Sequence, residues 1–139
     1  MSAVTQQSVQ DEVADWKHRL EDLFADIQRA ADQVSGVHVR RIEVQPRQEE
    51  LMKQFRVPPP RLEKLVIEGT KGTMELVPFG LWVIGANGRL DVFVNGVAHI
   101  LADIGSPSEP RWTLYGRGDR LRGVPFDSGL IEQLISSIA

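Results

Sequence analysis

A chain of 139 residues has the size of one domain, and a content of 42% hydrophobic and 25% charged residues is that of a globular protein with a core, not of a disordered one. The net charge of −3 is too small to name a partner, although residues 1–36 hold seven acids against three bases (−4), which leaves +1 on the rest. The absence of cysteine excludes disulfides, thiolate metal sites and a cysteine nucleophile, and fits a reducing compartment.

Residues 1–10 read as a flexible N-terminus, followed by a single α+β domain over 11–139. A helix is predicted from Asp11 to Val34, because Trp16, Leu20, Leu23, Phe24, Ile27, Ala31 and Val34 recur at spacings of three and four and form one apolar stripe. Ser8 and Asp11 resemble a capping box, and Gly36 is suited to a left-handed stop. Val37 to Gln45 is β-branched and predicts a strand. Its alternation slips at Arg40-Arg41, which marks a bulge or an exposed edge. Arg47 to Arg56 is polar, a short helix or a loop, and Pro58 to Pro60 force an extended surface connection. Further strands are predicted over Leu62–Glu68, Thr73–Pro78, Leu81–Ile84, Arg89–Val94, Val97–Ile104 and Arg111–Tyr115. Asp127 then caps a closing helix over Ser128–Ile138. The expected architecture is an antiparallel β-meander of about five to seven strands, with the N-terminal and C-terminal helices packed on one face.

Two Asn-Gly steps, Asn87-Gly88 and Asn95-Gly96, bracket one strand. Each favours a type I′ hairpin turn, so together they predict three strands joined by two tight turns. Within the middle strand Leu90, Val92 and Val94 share the core side, while Arg89 and Asp91 take the other. Trp82 and Ile84 of the preceding strand are the expected neighbours of Arg89 and Asp91, for which a structural role is preferred over partner binding.

Catalytic signatures are lacking. His18, His38 and His99 form no H-x-x-x-H spacing, no G-x-S-x-G elbow or phosphate-binding loop is present, and neither Glu63-Lys64 nor Glu68 to Lys71 has the acid-x-lysine spacing of a nuclease strand. A non-enzymatic chain without cofactor or metal is the expectation. The segment Arg111 to Gly123 is the most suggestive for binding. Arg111, Arg117, Arg120 and Arg122 against Asp119 give +3, interleaved with Trp112 and Tyr115. Arginine and aromatics suit a protein hot spot or a nucleic-acid backbone, and the acidic whole-chain charge disfavours the latter. Arg111, Trp112, Arg117, Arg120, Arg122, Arg89 and Asp91 are therefore the candidate partner-binding residues.

The pattern Leu76-x-Pro78-x-Gly80 followed by Ile84-Gly85-Ala86-x-Gly88-Arg89-x-Asp91 resembles a family of uncharacterised bacterial proteins, as do the tryptophan-bearing strand and the closing Pro125-Phe126-Asp127 … Leu-Ile helix. The likeness covers roughly the last half of the chain. It implies a bacterial intracellular origin and transfers no activity or site residue.

No apolar run approaches the roughly 18 residues of a bilayer span, and the N-terminal text lacks the basic and apolar regions of a secretory signal. A cytoplasmic protein without a membrane partner is expected. The leading functional expectation is a protein–protein interaction domain, an accessory or immunity-type component. The alternatives are a nucleic-acid-associated factor using Arg111–Arg122, and a hydrolase with an unrecognised site. A homo-oligomer paired along the Val37–Val44 edge is a further option.

Overall fold

The computed structural model describes residues 3–106, 108–116 and 122–139. The chain forms α1 (Gln6–Asp32), β1 (His38–Glu43), α2 (Glu50–Gln54), β2 (Glu63–Glu68), β3 (Thr73–Gly80), β4 (Arg89–Val94), β5 (Val97–Asp103), β6 (Trp112–Tyr115), β7 (Gly123–Pro125) and α3 (Ser128–Ile138). The strands make one seven-stranded sheet in sequential order, every neighbour antiparallel. This is the expected α+β meander, with β1 and β7 as its edges.

One face of the sheet supplies Leu65, Ile67, Met74, Leu76, Leu90, Val92, Leu101 and Leu114, which join the buried sides of α1 and α3 in one core. Trp16, Leu20, Phe24 and Ile27 line that side of α1, at the spacing that keeps side chains on one helix face. A helix of 27 residues is about 40 Å long, enough to cross seven strands about 30 Å wide. Side chains of α1 reach strands far apart in the sheet order: Trp16 packs on Trp112 of β6 with ring centroids 6.2 Å apart, and Glu21 meets Arg41 of β1. α3 buries Ile131, Ile135 and Ile138 beside it, with the Asp127 carboxylate accepting from Leu130 N at 3.0 Å as its cap.

Several sequence expectations change. The helix starts at Gln6, so residues 6–10 form its first turns, and the reciprocal capping box is Thr5 with Ser8 rather than Ser8 with Asp11. At Arg40-Arg41 there is no bulge, since β1 and β2 pair without interruption from His38↔Glu68 to Glu43↔Glu63. The slip reflects an edge: Arg40 turns outward to pair with Glu68, while Arg41 lies over the Phe24 ring and donates to Glu21 at 2.9 Å. Strand β7 follows the one expected to be last.

The largest correction concerns the first Asn-Gly step. Leu81–Ile84 is not a strand; β3 runs on to Gly80 and pairs directly with β4, across a bulge between Pro78 and Gly80. The intervening loop closes at Val83↔Ala86 around Ile84-Gly85, where Gly85 has φ +82°, the signature of a type II turn. Asn87 instead ties the loop to the end of β5, its backbone N–H donating to Asp103 O at 2.8 Å and its side-chain amide to Gly105 O at 2.8 Å. Gly88 is demanded by packing, because a Cβ there would sit 2.2 Å from Trp16 Cζ3. Asn95-Gly96 alone makes the expected hairpin turn, with φ of 51° and 80°.

Candidate functional site

The period of two along each strand leaves a second sheet face, opposite the helices. Row by row across the cross-strand register it carries His38, Glu68 and Thr73, then Arg40, Val66, Glu75, Phe93 and Ala98, then Ile42, Lys64, Val77, Asp91, Ile100 and Tyr115, then Arg89, Ala102 and Thr113. No helix among the described residues packs on it. Its side chains shield one another: Val66, Ala102 and Thr113 are buried, while Phe93, Ile100 and Tyr115 remain half-buried. It is thus a mixed apolar and charged surface with water on one side.

Charge on this face comes in opposed pairs. Lys64 Nζ lies 2.9 Å from Glu75 Oε1 across β2 and β3, and Arg89 Nη2 lies 2.9 Å from Asp91 Oδ1 along β4. Arg40 pairs with Glu68 across β1 and β2. At the β3 bulge the Phe79 ring meets two guanidinium groups, Arg89 at 4.3 Å and Arg47 at 4.2 Å from its centroid. This stacking, with the bond to Asp91, orients Arg89 toward the end of the sheet where the loop turns. Tyr115 is fixed by a different device: its ring lies across Gly123 of β7, where a Cβ would meet Cε1 at 2.7 Å.

A hollow of about 420 Å³ opens at that end, between the Ile84 turn and the sheet, lined by Val83, Ala86, Arg89, Ile100, Ala102 and Tyr115. Ile84 stands at the tip of the turn with its full surface in water, 106% exposed. The loop behind it is held firmly. The Glu49 carboxylate accepts from Leu81 N and Trp82 N at 3.0 and 3.1 Å, and Trp82 Nε1 donates to Glu12 Oε2 at 2.5 Å.

Of the residues singled out from the sequence, Arg89 and Asp91 share this face, bonded to each other and flanked by Val77, Phe79 and Ile100; Ile84 lines the same hollow as Arg89, whereas Trp82 is turned to Glu12. Trp112 does not join them. It faces the helices and packs against Trp16 and the core, so its indole is structural. Arg111 and Arg122 are exposed, and the Arg111 backbone N–H donates to Asp103 Oδ1 at 2.8 Å. Arg117 and Arg120 lie outside the described residues. The sequence reading missed Ile84, Ile100, Tyr115 and Phe79 as one surface; the signal was the outward half of each strand's alternation, apolar where water was expected.

Among the described residues no three His, Cys, Asp or Glu side chains gather to hold a metal ion, and no helix is long and apolar enough to cross a membrane. His18 pairs with Asp22 on the solvent side of α1, and His38 and His99 lie on β1 and β5, so the three do not converge. Comparison with protein-family models, with curated proteins and with solved structures returned no match.

Proposed function

We propose that the chain is a non-enzymatic protein-interaction domain, an accessory or immunity-type component, that binds its partner on the uncovered face of the sheet. The observation that carries this reading is the asymmetry of the two faces: helices cover one, and the other presents Phe93, Ile100 and Tyr115 with Ile84 projecting beside them. A stiff sheet offers such a surface with little ordering cost on binding. Arg89 and Asp91 stand inside this surface, and Arg111 and Arg122 lie toward its β6–β7 side.

Affinity capture from a host extract tests the reading when run with two variants beside the native chain. Ile100→Asp places a charge in the middle of the face, and Arg111→Ala/Arg122→Ala removes the exposed arginines. Loss of the captured protein with Ile100→Asp alone supports the face. Loss with the double arginine variant alone moves the site to the β6–β7 side. Binding of nucleic acid that falls steeply with salt would replace the protein reading by a phosphate-contact one.

A further inference from the structure

We infer that the occupant of the uncovered face is a second copy of this chain, in a face-to-face dimer with twofold symmetry. The inference rests on that face being the binding surface. Three features favour a copy over an unrelated partner.

The first is charge. Arg40–Glu68, Lys64–Glu75 and Arg89–Asp91 place one cation and one anion each on the face. A strongly acidic or basic partner would leave half of these charges opposed by its own sign. A second copy brings the same balanced set, and a twofold axis sets a residue i against j while j meets i.

The second is shape. The hollow of about 420 Å³ has the fully exposed Ile84 on its own rim. That is the arrangement a twofold interface uses twice: the Ile84 of each copy enters the other's hollow, against Ile100 and Tyr115. Both copies bury a side chain that stands fully in water when alone.

The third is area. A face about 30 Å wide and about 20 Å along the strands offers about 600 Å² per copy. Two copies bury about 1,200 Å², the lower end of the range for specific stable interfaces. Edge pairing is a weaker route, because β7 has three residues and β1 carries exposed His38 and Arg40.

Sedimentation equilibrium from low to high micromolar concentration tests this on the native chain, Ile84→Asp and Gln133→Glu, the last an exposed change on α3 away from the face. The native mass should rise from one copy toward two. Ile84→Asp should raise the dissociation constant at least about tenfold, as loss of a central anchor does. Its circular dichroism should not change, since Ile84 has no packing to lose, and Gln133→Glu should still dimerise. A native chain that stays monomeric throughout overturns the inference, and so does an Ile84→Asp dimer as tight as the native one. The face itself is judged separately by the Ile100→Asp capture. If the native chain is monomeric but Ile100→Asp loses a captured protein, the face stands with a different occupant.

Discussion

Arg19 of α1 and Asp103 of β5, separated by 84 residues in the chain, form a buried ion pair with Arg19 Nη1 2.7 Å from Asp103 Oδ2. The pair is completed on both sides. Arg19 Nε also donates to Asp15 at 2.7 Å and its guanidinium lies 5.1 Å from the Trp16 ring centroid. The other oxygen of Asp103 accepts from the backbone N–H groups of Gly105 and Arg111. One carboxylate therefore ties the N-terminal helix, the end of β5 and the start of β6 together, at the edge of the Ile84 loop.

Removing one partner strands the other in the interior. Asp103→Ala should cost about 3–5 kcal/mol, because it leaves a buried guanidinium and two backbone donors without their acceptor. Arg19→Met should cost less, since Asp103 keeps its two backbone donors. The two changes together should fall short of the sum of the singles, a coupling of about 1–3 kcal/mol in urea unfolding.

Gly88 and Gly85 both have positive φ but different surroundings. At Gly85 nothing lies near the place of a Cβ, so Gly85→Ala should cost only about 1 kcal/mol of backbone strain. At Gly88 the new methyl collides with Trp16, and Gly88→Ala should cost at least about 2 kcal/mol. Thermal unfolding midpoints of the two variants give the order directly.

These positions show what the sequence could disclose and what it could not. Both long helices and the Asn95-Gly96 hairpin were legible, because a stripe at spacings of three and four and a two-residue turn are local signals. Asn87-Gly88 carried the same dipeptide and misled, because its glycine answers to Trp16, a contact across more than half the chain. In the four-residue β6 the alternation was too short to tell that Trp112 faces inward and Tyr115 outward. The bulge at the end of β3 hid the role of Phe79 in the same way, since it breaks the period on which faces are assigned.

Trp112→Ala should act on stability, not on binding. Its indole packs on Trp16 against the core, so truncation should cost about 3 kcal/mol, while Arg111→Ala should change stability by less than about 0.5 kcal/mol. Chemical denaturation separates the two.

The Asn95 side chain has a second duty besides its left-handed backbone: its Oδ1 accepts from Thr73 N at 2.9 Å, tying the β4–β5 turn to the start of β3. Asn95→Ala should cost about 1–2 kcal/mol and Asn95→Gly less, because glycine keeps the turn geometry while losing only the bond. The difference between the two variants in urea midpoint isolates the strain of a left-handed alanine.

That the uncovered sheet face is where this chain binds is tested most directly by thiol footprinting. The chain has no cysteine, so a single introduced one reports on its own surroundings. Ala98 is exposed on the uncovered face and Gln133 is exposed on α3. Maleimide labelling of Ala98→Cys and Gln133→Cys is compared in dilute solution, at high protein concentration and in host extract. The predicted result is slowed labelling of Ala98→Cys in at least one of the two crowded conditions, with Gln133→Cys unchanged. Equal labelling at Ala98→Cys under all three conditions, or protection at Gln133→Cys alone, would contradict it.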